Sequence, residues 1–136
     1  ANSVVGFLPM VGGEAVTLER VAGWIFAPIA WLMGIPWAEA STAGSLLGVK
    51  SVLNEFIAYI QLSAMPADAL SERSRLITIY ALAGFANLAS IGIQISGIGT
   101  MAPERRGDLA QLAWPAFVAA TLASCMTGCV VGIVAG

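Results

Sequence analysis

The charged residues of this chain are confined to short segments, and long uncharged stretches separate them. These stretches are residues 21–38, 76–103 and 109–136. A helix needs about 20 apolar residues to cross the ~30 Å hydrocarbon core of a bilayer. With residues 40–67, which carry only Lys50 and Glu55 as charges, the chain has material for about four membrane segments. The charge pattern therefore predicts an all-α integral membrane protein.

Composition excludes several other classes of protein. Hydrophobic residues make up 58% of the 136 residues and charged residues 10%, against roughly 45–50% and about 25% in average globular chains. A solvated monomeric domain is therefore excluded. The chain has no histidine, which excludes His-based catalysis and His-ligated metal sites. Its net charge of −2 excludes a basic surface for nucleic acid.

The first third of the chain is predicted to contain the end of a membrane span and then a helix that lies at the membrane surface. Residues 1–12 resemble the end of a preceding transmembrane helix, so we expect the chain to be a piece of a longer protein. Residues 17–33 follow as an interfacial helix, because Trp24 and Trp31 share one helical face and tryptophan favours the headgroup level. Pro28 would remove a hydrogen bond from a straight span. A kinked span is the alternative.

Residues 41–63 are long enough to cross the membrane, but they place polar groups near its middle. Lys50, Asn54 and Glu55 lie there, and an ionised side chain at that depth costs at least ~2.5–3.5 kcal/mol on insertion scales. Two explanations remain open. Either this helix faces a polar cavity, or it is a broken transmembrane helix whose free backbone groups are satisfied by those side chains.

Residues 73–103 are predicted to form a re-entrant helical hairpin. Arginine pairs precede and follow this uncharged stretch, at positions 73 and 75 and at positions 105 and 106. A hairpin keeps all four arginines on one side of the membrane, as the positive-inside tendency favours. Its tip would lie near residues 86–90, where Asn87 and Ser90 provide polar groups.

Residues 106–134 are predicted to form the last transmembrane helix. Their many small residues suit close helix packing in a membrane. Cys125 and Cys129 lie four residues apart and hence on one helical face. We interpret these cysteines as packing residues.

Three polar residues at predicted mid-depth form the candidate site. Glu55 offers an anionic acceptor, Asn87 an amide with donor and acceptor groups, and Ser90 a hydroxyl. This set suits a neutral ligand rich in hydroxyl groups and suits a metal badly. The alternative is that Glu55 pairs with Lys50 while the asparagine and the serine only join helices.

Four segments of the chain resemble one protein family. They are GWIFAPIAWLMG at residues 23–34, KSVLNEFIAY at 50–59, YALAGFANLASIGIQ at 80–94 and MAPERRGDL at 101–109. Together they resemble the C-terminal half of bacterial concentrative nucleoside transporters, from about residue 17 to residue 134. The paired NEF and GFAN motifs are the most specific part of this likeness.

The resemblance implies a multi-pass protein of the inner (plasma) membrane that imports nucleosides on a sodium or proton gradient and is not an enzyme. Residues 13–136 would be the C-terminal half of the transport domain in a homotrimer. Glu55, Asn87 and Ser90 would bind the ribose, with Phe85 and Ile60 beside the nucleoside. No cofactor or nucleic acid is implied.

The coupling-ion ligands would lie in the absent N-terminal half, with which this chain would pack in the lipid bilayer. The alternative function is a small membrane assembly or channel-forming subunit that functions at this length.

Overall fold

The computed structural model describes residues 18–135, and every regular element in this part of the chain is helical. The elements are α1 Leu18–Leu32, α2 Trp37–Val52, α3 Glu55–Ala64, α4 Glu72–Leu82, α5 Leu88–Met101, a short 3₁₀ turn Pro103–Arg105, and α6 Arg106–Val134. The all-α prediction is confirmed for this part. The predicted helix end at residues 1–12 lies outside the described residues.

A glycine ends α1 and turns the chain back into α2. Gly34 has φ +98°, its N–H bonds to Trp31 O (2.9 Å), and the N–H of Ile35 bonds to Ala30 O (3.2 Å). This is the Schellman arrangement, which satisfies the free carbonyls at a helix end. Pro36 then precedes α2, and the two helices are bent by 119° relative to each other.

Small residues allow α1 and α2 to pack closely. A Cβ atom placed on Gly44 would lie 2.7 Å from Gly23 O, so the two backbones nearly touch at this point. Ala30 and Ala43, one from each helix, are fully buried. Close approach of this kind is typical of helix pairs in membranes. The larger side chains of α1, such as Trp24, are left on the outer face.

Helix α2 runs alongside α4 in the same direction. At its beginning, Glu39 Oε2 accepts hydrogen bonds from the N–H (3.1 Å) and Oγ (3.0 Å) of Ser71, the residue that caps α4. At its end, Lys50 Nζ donates to Ala81 O (2.9 Å) in the last turn of α4. A separation of eleven residues along α2 therefore matches a separation of ten residues from the cap of α4, so the two helices are parallel.

Helix α3 runs in the opposite direction along the same neighbour. Tyr59 Oη donates to Ile79 O (2.7 Å), near the end of α4, and Arg75 Nη1, near the beginning of α4, donates to Leu62 O (3.3 Å). Since α2 is parallel to α4 and α3 is antiparallel to it, α2 and α3 form a helical hairpin. Its tip is at Leu53–Asn54, where the backbone is not helical.

Helices α4 and α5 run in sequence along the whole length of α6. Arg73 Nη2 donates to Gly132 O (2.7 Å) near the end of α6, whereas Arg106 Nε donates to Gly99 O (3.2 Å) where α6 begins. Helix α6 has 29 residues, or about 43 Å at 1.5 Å per residue.

The predicted hairpin over residues 73–103 is therefore wrong, because its two flanking arginine pairs lie at opposite ends of α6. That prediction rested on segment length and on the positions of charges. Neither property determines whether the second helix of a pair reverses direction or continues. The long-range hydrogen bonds settle this point, and they place the reversal in residues 37–64.

Within the described residues, one helix is long and apolar enough to cross a membrane alone, and it covers Pro103–Val134. Helices α1 and α2 reach that length only as a bent pair, and α5 is a shorter apolar helix. Helix α1 lies within the predicted interfacial range 17–33, and its depth in the membrane remains a prediction.

We expect residues at the two ends of α4–α5 to be accessible from opposite sides of the membrane. The test uses single cysteines at the exposed positions Ala38, Glu72 and Glu104, after replacement of Cys125 and Cys129 by alanine. An impermeant maleimide should label Ala38→Cys and Glu72→Cys from one side, and Glu104→Cys from the other. Labelling of positions 72 and 104 from the same side would contradict this arrangement and support the hairpin predicted over residues 73–103.

Candidate substrate-binding site

Two interruptions in the helices lie side by side. The first is Leu53–Asn54, between α2 and α3, and the second is the link 83–87, between α4 and α5. Lys50, just before the first interruption, bonds to Ala81, just before the second. Helix α2 also contacts α5 directly. The tip of the α2–α3 hairpin thus meets the point where α4 gives way to α5.

The end of α4 has carbonyl groups that its own helix cannot pair, because the last four carbonyls of a helix have no intrahelical partner. Ala83 N–H bonds to Tyr80 O (3.3 Å), and the hairpin supplies donors to two others. Lys50 and Tyr59 bond to the carbonyls of Ala81 and Ile79. A positive charge is favoured at this end by the helix dipole.

Glu55 is the first residue of α3, and Asn54 caps that helix by accepting a hydrogen bond from Ile57 N–H (2.9 Å). A carboxylate in the first turn is favoured by the positive end of the helix dipole. Glu55 Oε2 is buried, and within residues 18–135 it makes no hydrogen bond. Buried polar atoms are nearly always hydrogen-bonded, so this oxygen is an acceptor available to a ligand or to another part of the protein.

Asn87 and Ser90 form a capping box at the beginning of α5. Asn87 Oδ1 accepts from Ser90 N–H (2.8 Å), and Ser90 Oγ accepts from Asn87 N–H (3.3 Å) while donating to Asn87 O (2.6 Å). Asn87 is 2% exposed and Ser90 8%. Asn87 and Ser90, which the sequence predicted as a pair of ligand-binding residues, therefore also cap the beginning of α5. The hydroxyl proton of Ser90 is already donated to a backbone carbonyl of the chain.

The two predicted apolar contacts lie at the surface of this part of the protein. Phe85 is 65% exposed and Ile60 52%. Phe85 and Ser90 line a groove of about 330 Å³ between α5 and α6. Glu55 and Ile60 belong to α3 and lie outside this groove. The predicted site residues thus form two groups. Phe85, Asn87 and Ser90 lie on the link and the beginning of α5, and Glu55 and Ile60 lie on α3.

Lys50 and Tyr59 are the residues of this region that sequence reasoning missed. Lys50 was considered either as an ion-pair partner of Glu55 or as a side chain that satisfies backbone groups at the break in its own segment. In the structure it is 2% exposed and bonds to a backbone carbonyl of α4, 31 residues away. In the part of the chain that the structure describes, Lys50 and Glu55 form no ion pair within 4 Å, whereas Arg105 and Asp108 do (3.0 Å). The position of this lysine next to a predicted helix break could have indicated that it pairs the free carbonyl groups of a helix end.

Interrupted helices whose ends meet around buried polar groups are common in secondary transporters, and the fold described here has this architecture. The family described as Na⁺ dependent nucleoside transporter C-terminus matches residues 1–132. The chain therefore belongs to this family, and the resemblance drawn from its motifs is confirmed.

Individual relatives agree with this assignment. The chain is 42% identical over 128 residues to the uncharacterized transporter YutK of Bacillus subtilis (strain 168), and 37% identical over 127 residues to the nucleoside permease NupC of Helicobacter pylori (strain ATCC 700392 / 26695). These alignments cover 94% and 90% of this chain but 31% and 30% of the relatives. The chain thus spans about a third of their length, and the relatives are transporters rather than enzymes.

A solved structure shows the same fold. The structure of CNTnw in an inward-facing substrate-bound state is similar to this chain with a TM-score of 0.80 and 44% sequence identity. The match covers 86% of this chain and 29% of CNTnw. The arrangement of helices described above is therefore that of the C-terminal third of a transporter of this family.

Close packing at Gly84 should limit which residues the second interruption can accept. A Cβ atom at Gly84 would collide with Ser124 Oγ and lie 2.8 Å from Ser124 Cβ. Because overpacking typically costs about 1–3 kcal/mol, we expect Gly84→Ala to lower the melting temperature of the purified protein. Adding Ser124→Gly should recover most of the loss.

The matched control for this substitution is Gly92→Ala, since a Cβ atom at Gly92 meets nothing within 4 Å among the described residues. This variant should melt close to the wild type. A Gly84→Ala variant as stable as the wild type, or one that Ser124→Gly does not improve, would contradict the contact between the link and α6.

Proposed function

We propose that this chain is the C-terminal part of a secondary active nucleoside importer of the inner (plasma) membrane, coupled to a sodium or proton gradient. In this proposal the chain supplies the ribose-binding side of the site, and the remainder of the transporter supplies the rest. The observation that carries the proposal is the buried, unbonded Oε2 of Glu55 at the tip of the α2–α3 hairpin. Family membership supports the class of substrate.

The chemistry of Glu55 suits a sugar with adjacent hydroxyl groups. An ionised carboxylate only accepts hydrogen bonds, and each ribose hydroxyl can donate one. Hydrogen bonds to charged groups are roughly twice as strong as neutral ones, so a buried carboxylate can select for a hydroxylated ligand. A second carboxylate or a phosphate at this position would be repelled, which favours a neutral nucleoside over a nucleotide.

Asn87 would complement this acceptor with a donor. Its Oδ1 is used in the capping box, and within the described residues the structure gives no hydrogen bond from its Nδ2. The amide N–H₂ is therefore available to a ribose oxygen. Ser90 Oγ already donates to Asn87 O, so in this proposal the serine contributes a remaining lone pair as an acceptor.

Phe85 and Ile60 would lie beside the nucleoside. Both are large apolar side chains with more than half of their surface exposed in this part of the protein. One lies on the link 83–87 and the other on α3, so they flank the two interruptions. Contact with a nucleoside would remove their apolar surface from water, which stabilises binding by roughly 25 cal/mol per Å² of buried apolar area.

For the membrane arrangement we propose that α2–α3 is the re-entrant hairpin, that α4–α5 is the broken transmembrane helix, and that α6 is the last span. Non-helical backbone is tolerated at membrane depth only where it is buried in protein or lines a cavity. Both interruptions meet this condition if they face each other and the substrate. Assembly as a homotrimer remains an expectation from the family resemblance.

The role of Glu55 is tested by Glu55→Gln in the intact transporter. The substitution keeps the side-chain size but turns one acceptor oxygen into a donor facing a ribose hydroxyl. Losing a hydrogen bond to a charged group costs about 1.5–3 kcal/mol, or about tenfold to over a hundredfold in affinity. We expect that loss for uridine, and a smaller loss for dideoxyuridine, which lacks the hydroxyls concerned. Binding affinities of both nucleosides are measured on the wild type and the variant.

The matched control is Glu72→Gln, which neutralises an exposed carboxylate at the beginning of α4. It should leave both affinities unchanged. If Glu55→Gln lowers the two affinities equally, or lowers neither in a well-folded protein, then Glu55 does not bind the ribose.

A further inference from the structure

Lys50 places a positive charge at the second interruption. Its side chain is 2% exposed, and its Nζ donates to Ala81 O at 2.9 Å. Ala81 lies in the last turn of α4, which ends at Leu82. The ammonium group is therefore held at the carbonyl end of a helix that terminates inside the protein.

A second polar group, the hydroxyl of Ser124, lies near this ammonium. A Cβ atom on Gly84 would lie 3.5 Å from Lys50 Nζ and would collide with Ser124 Oγ, so the lysine and the serine approach the same glycine of the link. Ser124 Oγ donates to Ala120 O (2.9 Å) and keeps lone pairs free. Of the charged side chains on neighbouring elements, Glu55 on α3 acts on Lys50. Cys125 on α6, an uncharged thiol, lies on the same side.

Such an environment is typical of a cation site. The carbonyl end of a helix has a partial negative charge, and in secondary transporters the carbonyl ends of half-helices and unwound backbone carbonyls coordinate Na⁺ or H⁺. Burying an ammonium is costly unless partners compensate for the lost water. An apolar side chain would fill the space without that cost, but it would leave the carbonyl of Ala81 unpaired.

We propose that the Lys50 ammonium is a tethered cation: it occupies, at the end of α4, the position that a free monovalent cation would otherwise take. The protein then needs no free ion to hold the α2–α3 hairpin against the second interruption. For the proposed transport function, the consequence is that the coupling ion binds at another position in the protein. Lys50 is a positioning residue, since it acts on the site through the backbone of α4.

The test is the thermal stability of full-length Lys50→Met, which keeps an unbranched side chain, shorter by one atom, and removes the charged ammonium group. Melting temperatures are measured without nucleoside at constant ionic strength in choline, sodium, potassium and methylammonium chloride. We expect the variant to melt several degrees below the wild type in choline chloride. Sodium or methylammonium should restore at least half of that loss, beyond any shift that the same salt produces in the wild type.

Tyr59→Phe is the matched control, because it removes the neighbouring hydrogen bond to Ile79 O without removing a charge. Its melting temperature should respond to the four salts as that of the wild type does. Lys50→Arg should also respond like the wild type, because it keeps the charge.

Three outcomes overturn the proposal. One is a Lys50→Met variant that is equally destabilised in every salt, or that cannot be recovered folded in any of them while Lys50→Arg can. The second is a variant as stable as the wild type in choline chloride. The third is a Tyr59→Phe variant whose melting temperature rises in sodium chloride as much as that of Lys50→Met. The rise would then result from losing any hydrogen bond between the hairpin and α4, and not from losing a positive charge. The measurement contains no nucleoside, so it is independent of whether the protein transports nucleosides.

Discussion

Backbone groups at a helix interruption must find partners when no water is present to supply them. The two interruptions at residues 53–54 and 83–87 lie side by side, and most of their exposed backbone groups are paired by side chains of the same small region. The carbonyls at the end of α4 are paired by Lys50 and Tyr59 from the hairpin, and the beginning of α3 is capped by Asn54. The beginning of α5 is capped by Asn87. The positions of Glu55, Phe85 and Ser90 all depend on this arrangement.

The pairing of the interruptions also explains why a rigid site can be built from short helices. Each of the helices α3, α4 and α5 has 14 residues or fewer, and isolated helices of about this length are marginal in water. Here long-range hydrogen bonds hold α4 at both ends, and two of its hydrogen bonds go to α3. Glu39 bonds to Ser71 at the base of the hairpin, and Arg73 bridges Gly34 O and Gly132 O nearby. Polar side chains are thus concentrated where the backbone changes direction.

Much of this arrangement could be predicted from the sequence. The isolated charges of Lys50 and Glu55 indicated a break in residues 41–63, and the polar residues Asn87 and Ser90 indicated another in 73–103. The direction of the chain after each break could not be predicted. A broken span and a re-entrant hairpin have the same lengths and the same apolar composition. They differ only in contacts such as that of Arg73 with Gly132, which is 59 residues away.

The roles of individual residues could be predicted only in part, because a sequence does not show which distant residues are in contact. The acceptor of Lys50 lies 31 residues away, whereas sequence reasoning considers neighbours such as Glu55. The spacing of Asn87 and Ser90 is equally compatible with a ligand pair and with a capping box, and the structure shows the capping box. The family motifs predicted more than composition did, because they identify the residues that lie at the two helix interruptions.

In the proposed transporter, the two interruptions face each other across one substrate. The most direct measurement is an experimental structure of the intact transporter with bound uridine. We expect ribose hydroxyls within hydrogen-bond distance of the Glu55 carboxylate and the Asn87 amide, with Lys50 still bonded to the carbonyl of Ala81. Uridine bound elsewhere, with Glu55 bonded only to protein groups, would contradict it.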